Sequence, residues 1–326
     1  MSAVEAPAAP RSSPRPSGSH RPPTRGARSH RALRYAPYLL ILPTAAVLVT
    51  VLAYPLGKLV ALSLQDFTQR NLYTGEAAPF NGLASYVEIL TDSFFWQVVL
   101  RTVVFTVVNV GLTILLATGI ALLMRRVARW CRTLIFVALI CVWAMPQIVS
   151  TMVFRWMVDS NFGVLNWLLT LLPGVDFTMH NWFVNPLQGF AVITAVVVWG
   201  AIPFVAIMLY AGLTQVPREL EEAAMIDGAS GWQVFRSVTY PVLRPIYTIT
   251  TTLSVIWGFQ VFNQIWVARG AAPEPGYWLL GIYSFTKAFG VREYSLGAAI
   301  AVVTVLMLLL FTVFYIRQSL RYGEFE

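Results

Sequence analysis

Long runs of apolar residues, separated by shorter polar segments, fill the chain after its first 34 positions. The runs cover about 38–64, 102–124, 133–157, 187–213, 246–267 and 296–316. Each run is long enough to cross roughly 30 Å of hydrocarbon as a helix. Lipid offers the backbone no hydrogen-bond partners, so a segment that crosses it must satisfy itself as a helix. The pattern predicts an all-α membrane protein with six transmembrane helices, kinked where Pro43, Pro55, Pro146 and Pro203 interrupt the runs.

Composition agrees with this pattern. Hydrophobic residues make up 57% of the 326 positions and charged residues make up 12%. Soluble domains contain about 45–50% apolar and about 25% charged residues. Together with a mean hydropathy of +0.65, these values exclude an ordinary soluble protein.

Basic residues predict how the spans are oriented. The net charge is +8, and 16 of the 23 Lys+Arg residues lie in 1–34, 125–132, 214–245 and 317–326. Six crossings place these four segments on one side, which the positive-inside rule identifies as cytoplasmic. The N- and C-termini are then cytoplasmic, and the loops at about 65–96, 158–186 and 268–294 face outward. This distribution favours contact with membrane lipid over binding of nucleic acid.

The first 34 residues are rich in Ala, Pro, Ser and Arg and have no apolar period. Such a composition cannot bury enough apolar surface to fold. We therefore expect a disordered basic tail at 1–34, followed by a membrane domain at 35–326.

Motifs for catalysis, metal binding and ATP hydrolysis are missing from the sequence. No HExxH, GxSxG, paired CxxC or GxxxxGK pattern occurs, so we expect no enzyme activity, metal site or cofactor on this chain. Cys131 and Cys141 lie ten residues apart in one predicted helix. That spacing separates them by about 15 Å, too far for a disulfide.

The polar segment 214–245, between the fourth and fifth runs, carries clear helix signals. Pro217 suits the first position of a helix, and Gly228 suits the left-handed cap that ends one. Ser230 and Gln233 have the spacing of a capping box, which starts a second helix. The segment therefore predicts two short helices joined at Gly228 and lying at the cytoplasmic surface.

One face of the first short helix carries small side chains, and acidic side chains border that face. Leu220, Ala223, Ala224 and Asp227 share this face at helical spacing. Because the two alanines present almost no side chain, another surface can approach closely and bring basic groups to Glu222. The alternative, an amphipathic helix lying on lipid, usually carries Lys and Arg on its polar face. The acidic rim therefore favours docking against a partner protein.

Three groups of residues in this segment resemble the EAA motif of ABC importer permeases. They are Glu222-Ala223-Ala224, Asp227-Gly228-Ala229 and Val238-Thr239-Tyr240-Pro241. The spacing of the family motif is kept, and Val238 and Tyr240 replace its Ile and Leu. The resemblance covers about 35–320 and is nearest to permeases for maltose-type oligosaccharides and for glycerol 3-phosphate. It implies that the residues coupling the chain to an ATPase are Glu222, Ala223, Ala224, Asp227, Gly228, Ala229 and Pro241.

The resemblance also implies an assembly in the cytoplasmic membrane. The fold would be the transmembrane domain of a type I ABC importer. A second, paralogous permease subunit would complete the pathway, and two ATPase subunits would bind ATP and Mg at the cytoplasmic face. An extracytoplasmic binding protein would deliver the substrate.

Polar and aromatic residues of the fifth run indicate where a substrate passes. Trp257, Gln260 and Gln264 lie at i, i+3 and i+7 on one helical face. Amides can bond sugar hydroxyls while an indole covers an apolar ring face, so this face predicts a pathway for a di- or oligosaccharide. Hydrogen bonding between helices is the alternative role for such residues. The candidate substrate residues are Trp199, Trp257, Gln260, Asn263, Gln264 and Tyr283.

Three other functions compete with the sugar importer. A glycerol-3-phosphate-type permease would need cations in the pathway, and no cationic run lies near the middle of a span. An ion-coupled secondary transporter would need a carboxylate in the membrane, whereas all 15 acidic residues lie outside the predicted spans or near their ends. A membrane-bound enzyme would need a convergent set of titratable groups, which the spans lack.

Overall fold

A computed structural model describes the backbone of residues 29–323 and the side chains of Tyr38 and of residues 40–317. Regular structure in this part of the chain is helical, and one isolated antiparallel bridge joins Gln65 and Phe80. The α-helices are α1 Ser29–Leu48, α2 Tyr54–Ser63, α3 Gln69–Thr74, α4 Ala84–Thr91, α5 Ser93–Arg126, α6 Arg129–Ala144, α7 Gln147–Met157, α8 Val164–Thr170, α9 Pro186–Leu213, α10 Arg218–Ile226, α11 Gly231–Val234, α12 Tyr240–Phe259, α13 Asn263–Ala268, α14 Leu280–Phe285 and α15 Tyr294–Gly323. The all-α fold class is confirmed.

The chain divides into two compact units, 1–55 and 56–326. In the first unit, α1 begins at Ser29, within the segment that was expected to be unstructured. The expectation was wrong for 29–34, because Ala32, Leu33 and the flanking arginines all favour helix. Residues 1–28 of the expected tail lie outside the described part of the chain.

Within residues 29–323, length and composition single out four continuous helical stretches that can cross a membrane. They are Leu40–Ser63, Ser93–Arg126, Pro186–Leu213 and Tyr294–Arg317. The pair α6 and α7 would form a fifth span, although the two helices meet at an angle of 100°. The predicted run 246–267 does not form one helix: α12 ends at Phe259 and α13 starts at Asn263. Several membrane-spanning helices are therefore confirmed, and the count of six stays a prediction.

The two helix breaks have different causes. At the first, Pro146 cannot donate a backbone hydrogen bond and forces Met145 into an extended conformation, with φ −74° and ψ 128°. The predicted kink at Pro146 is thus a complete break. At the second, the chain leaves the helix through Gln260–Phe262 without a proline, and Phe262 has φ −125° and ψ −58°.

Two π-helical segments also follow from prolines. Val49–Ala53 and Phe235–Thr239 each end two residues before a proline, Pro55 and Pro241 respectively. The missing proline N–H leaves a carbonyl of the preceding turn without its usual donor, and a wider turn accommodates this. Pro241 lies in the first turn of α12.

The core of the second unit lies mainly between α5 and α9. Towards the α5 C-terminus, small residues such as Ala117, Ala121 and Ala206 are fully buried and let the helices approach closely. Near the α5 N-terminus, Phe105 joins a second cluster with Ile193 and residues of α13 and α14. The stretch of α5 between these clusters carries polar side chains, and there the cavity described below opens.

An arginine clamp stabilises the segment after α13. The guanidinium of Arg269 lies 5.3 Å from the ring centre of Phe183 and 4.7 Å from that of Tyr277. It also pairs with the carboxylate of Glu274, and hydrogen bonds from Arg269 lower the pKa of that carboxyl group. Arg269 therefore has a structural role, in which its charge is paired and its guanidinium is packed between aromatic rings.

Candidate functional site

A cavity of about 260 Å³ opens where α5, α6, α7, α9, α12 and α13 meet. Both helix breaks reach it, the first through Met145 and the second through Gln260 and Val261. Irregular backbone at membrane depth is tolerated where it lines a cavity or is buried in protein. The breaks and the cavity thus form one feature of the fold.

The lining of this cavity is polar but uncharged. Amide side chains come from α5, from α7 and from the second break with the helix that follows it, and hydroxyl side chains come from α5, α7 and α12. They are Asn109, Gln147, Gln260, Gln264, Thr113, Ser150 and Ser254. None of the 20 lining residues is Asp, Glu, Lys, Arg or His. The cavity therefore offers hydrogen bonds without a fixed charge.

Buried polar atoms at the cavity lack protein partners. Asn109 donates to the Phe105 carbonyl at 2.7 Å, but its Oδ1 accepts no hydrogen bond, and the Ser254 hydroxyl is also unpaired. Thr106 Oγ1, next to Gly258 in the cavity wall, is a third such atom. A buried polar atom without a partner costs about 1–3 kcal/mol. Asn109 and Ser254 belong to the cavity lining, so two of these unpaired atoms lie beside the cavity.

Indole rings supply the apolar part of the lining. Trp143, Trp199 and Trp257 all border the cavity. The ring of Phe154 lies 5.5 Å from that of Trp199, and the ring of Phe204 lies 5.2 Å from that of Trp257. Because each of these two indoles packs against a second aromatic ring, its orientation is restricted. Rigid aromatic faces beside amides suit ligands that have both apolar faces and hydroxyl edges.

Four of the six candidate substrate residues meet at this cavity: Trp199, Trp257, Gln260 and Gln264. Two do not line it. Asn263 is exposed at the start of α13. Tyr283 is 2% exposed in a hydrophobic cluster, where its hydroxyl donates to Asp92 Oδ2 at 3.4 Å. Tyr283 thus packs in the core.

Sequence reasoning missed several cavity residues on other helices. Asn109 and Thr113 lie one turn apart on α5, and both are at most 3% exposed. Their i, i+4 spacing in an otherwise apolar helix was the available signal. Ser150 follows Pro146 by one turn in α7, so the broken helix presents it to the cavity.

The second candidate site is the coupling elbow, defined here as α10, the turn at Asp227–Ser230 and α11. The two short helices predicted for this segment are confirmed, although Pro217 is the residue before the first helix rather than its first residue. Gly228 has a φ of +85° and donates to the Met225 carbonyl at 3.0 Å. The capping box is also present, with the Ser230 N–H donating to Gln233 Oε1 at 2.7 Å.

The surface of the coupling elbow is open. Glu222, Ala223, Asp227 and Gly228 are exposed, and Ala224 and Ala229 are half-buried. No residue of α10 is buried. Large apolar side chains that the sequence reasoning did not single out are exposed as well, Ile226 by 86% and Trp232 by 68%. Exposed apolar groups beside acidic ones are typical of a protein interaction site.

Residues 109–321 match the family model described as the binding-protein-dependent transport system inner membrane component. The chain belongs to this family. It is 41% identical over 303 residues to the diacetylchitobiose uptake system permease protein DasB of Streptomyces coelicolor, covering 93% of this chain and 92% of the relative. It is 32% identical over 280 residues to the trehalose/maltose transport system permease protein MalF of Thermococcus litoralis, covering 86% and 92%.

The fold is also that of a solved importer chain. A chain from the crystal structure of a bacterial ABC transporter that imports alginate aligns with a TM-score of 0.73 and 17% identity. The alignment covers 90% of this chain and 99% of that one. The chain therefore has the fold of an ABC importer transmembrane domain.

Family membership decides between the competing functional classes. The chain is a multi-pass permease subunit of an ABC importer in the cytoplasmic membrane. It is not an enzyme, and ATP is hydrolysed on a separate subunit. The ion-coupled secondary transporter and the membrane-bound enzyme are excluded.

Proposed function

We propose that this permease moves a neutral di- or oligosaccharide through the cavity between its broken helices. One observation carries the proposal: the lining combines amides, hydroxyls and indoles and contains no charged side chain. Sugar hydroxyls can bond the amides and the unpaired Asn109 and Ser254 atoms, while the indoles cover apolar ring faces. Relatives whose names specify diacetylchitobiose and trehalose/maltose support the same substrate class.

The size of the cavity supports a pathway shared between two subunits. Its 260 Å³ is slightly below the range of about 300–1,000 Å³ for small-molecule sites. A second, paralogous permease facing the same cavity would enlarge it to the size of a disaccharide. The substrate then passes between two subunits.

The lining disfavours a glycerol-3-phosphate-type substrate. Phosphate recognition relies on arginine, lysine or helix N-termini. The N-termini of α7 and α13 border the cavity at Gln147 and Gln264, but none of the lining residues is arginine or lysine. The Arg101 guanidinium donates to the carbonyls of Pro275 and Trp278 at 2.8 and 3.0 Å and does not line the cavity. A phosphorylated substrate would therefore lose its hydration without gaining a cation.

We further propose six crossings with both termini in the cytoplasm. In this arrangement α12, the second break and α13 cross together as one interrupted span. The concentration of arginines in 1–34, 125–132, 214–245 and 317–326 supports it. The coupling elbow then faces the cytoplasm.

In the proposed assembly, each ATPase subunit binds a coupling elbow, and ATP with Mg binds to the ATPase subunits. The coupling residues are Glu222, Ala223, Ala224, Asp227, Gly228, Ala229 and Pro241. Closure of the ATPases on ATP moves the elbow, and this motion biases the spans between their outward-open and inward-open arrangements. A binding protein delivers the sugar outside, in keeping with the family description and with a related importer solved with its substrate-bound periplasmic protein.

Transport assays on the reconstituted complex test the substrate assignment. Uptake of labelled diacetylchitobiose is compared with uptake of glycerol 3-phosphate, each with its binding protein. We expect only the sugar to be transported, and Gln264→Ala to lower its uptake by about twofold to tenfold, because one neutral hydrogen bond is lost. Gln215→Ala is the control, since Gln215 is exposed outside the cavity. Equal transport of glycerol 3-phosphate, or full uptake by Gln264→Ala, would contradict the proposal.

A further inference from the structure

The coupling elbow needs a rigid connection to the spans if it is to move them. No residue of α10 is buried, so apolar packing does not fix this helix. Its close neighbours are α11 and the π-helical segment Phe235–Thr239, which follow it directly in the chain. A polar contact joins α10 to the long helix α5.

That contact centres on one carboxylate oxygen. Arg125 Nη1, in the last turn of α5, donates to Glu221 Oε1 at 2.6 Å. Thr239 Oγ1, at the end of the π-helical segment, donates to the same oxygen at 2.9 Å. The Glu221 carboxylate therefore joins α5, α10 and the segment that leads directly into α12.

The burial of these groups makes the contact firm. The side chains of Arg125 and Glu221 are 22% and 15% exposed, and Thr239 is 3% exposed. Charge-assisted hydrogen bonds are roughly twice as strong as neutral ones, and partial burial reduces their screening by salt. The helix dipoles also stabilise this ion pair, because Arg125 lies at the C-terminus of α5 and Glu221 lies in the first turn of α10.

The carboxylate contacts α5 directly and reaches α12 through the π-helical segment, and both α5 and α12 line the cavity. Asn109 and Thr113 belong to α5, and Ser254 and Trp257 belong to α12. Arg125 lies 16 residues from Asn109 on one continuous helix, or about 24 Å along its axis. A displacement at the carboxylate can therefore travel along rigid helices to two walls of the cavity.

We propose that Glu221, held by Arg125 and Thr239, is the joint that transmits movement of the coupling elbow to the cavity walls. This inference rests on the proposed function, in which an ATPase grips the elbow. It assigns to Glu221 a role different from that of Glu222. Glu222 is exposed for docking, whereas Glu221 faces the permease itself and acts as a positioning residue.

The test measures coupling separately from docking. Glu221→Gln and Arg125→Gln are reconstituted with the second permease, the ATPases and the binding protein, and uptake per ATP hydrolysed is recorded. We expect this ratio to fall by between about twofold and thirtyfold, the range observed for coupling residues, while the ATPases still co-purify. Arg126→Gln is the control, because Arg126 is the neighbouring, exposed arginine and is not one of the groups that bond Glu221.

Exchanging the two charges distinguishes a role of Glu221 in transmitting movement from a merely structural role. The double variant Arg125→Glu with Glu221→Arg restores an ion pair, and we expect it to recover much of the lost uptake per ATP. An unchanged ratio in Glu221→Gln, or no recovery in the double variant, would overturn the inference. Loss of ATPase binding in Glu221→Gln would also overturn it, by placing Glu221 on the docking surface. Failure of the unmodified chain to bind an ATPase would instead refute the proposed function.

Discussion

Gly258, in the cavity wall, lacks a side chain at the point where α12 packs against α5. A Cβ atom at this position would lie 2.7 Å from Thr106 Cγ2 and 3.3 Å from Thr106 Cβ. Threonine is branched at Cβ and has little freedom to turn away. Close approach of α12 to α5 beside the cavity therefore requires glycine here.

We predict that Gly258→Ala destabilises the permease by about 1–3 kcal/mol, because the added methyl group overpacks the α5–α12 contact. Thermal unfolding of the purified complex in detergent measures the loss. Gly111→Ala is the matched control, since Gly111 lies in α5 and a methyl group added there would have nothing within 4 Å. A Gly258→Ala variant as stable as the wild type would show that the helices separate more easily than the packing indicates.

At the residue scale, four of the candidate substrate residues line the cavity, and their contact with a substrate stays a prediction. Gln264 was assigned from a helical spacing that assumed one helix through 246–267, yet the helix ends at Phe259. Gln264 still reaches the cavity, because α13 also borders it. Tyr283 lies in a hydrophobic cluster and not at the cavity, because a tyrosine near a span end serves core packing equally well. Asn109 was missed because isolated polar residues in apolar helices are also common at helix–helix contacts.

Among the elements, the coupling elbow depends on local backbone geometry. Gly228 adopts a φ of +85°, and the Ala229 N–H then donates to the Ala224 carbonyl at 3.0 Å. This left-handed turn sets the angle at which α11 leaves α10. A residue with a Cβ atom disfavours the left-handed conformation by roughly 1–2 kcal/mol.

We predict that Gly228→Ala weakens binding of the ATPase subunit by up to about thirtyfold, if the whole cost of the strained turn appears in binding. Titration of the ATPase against the permease in lipid nanodiscs measures the affinity. Gly231→Ala serves for comparison, because Gly231 has nothing within 4 Å and no positive φ. Equal affinities for the two variants would show that the turn does not position the docking surface.

Element-level prediction from sequence depended on local signals. The helix end at Gly228 and the capping box at Ser230 were readable because glycine and capping side chains act within a few residues. The break at Met145 was foreshadowed by Pro146. The break at Gln260–Phe262 was not, since it contains no proline or glycine and reflects packing of α13 with residues distant in sequence, such as Phe105 and Ile193.

At the scale of the whole molecule, the number of helical stretches constrains the path of the chain through the membrane. By length and composition, four helical stretches of the described chain, or five with the bent pair, qualify as spans. Six crossings require α12 and α13 to cross together although Gln260–Phe262 separates them. The loops before and after this interrupted span must then lie on opposite sides.

Cysteine labelling tests this topology. In a background with Cys131 and Cys141 replaced by serine, we predict that Thr178→Cys and Val291→Cys react with an impermeant maleimide on intact cells. Gln215→Cys should react only after permeabilisation. All three positions are exposed, so reactivity reports the side of the membrane. Protection of Val291→Cys on intact cells would mean that α12 and α13 do not complete a crossing.

Photocrosslinking from the coupling elbow examines the importer mechanism at its point of contact. In one variant, a photoreactive residue replaces Ile226, which is 86% exposed. In a control variant, the same photoreactive residue replaces Leu310, which is 72% exposed on α15. We predict that position 226 captures the ATPase subunit, with a yield that changes when ATP is added, whereas position 310 does not capture it. Capture of lipid alone from position 226, or reaction there with a protein outside the cell, would contradict the docking of an ATPase on this elbow.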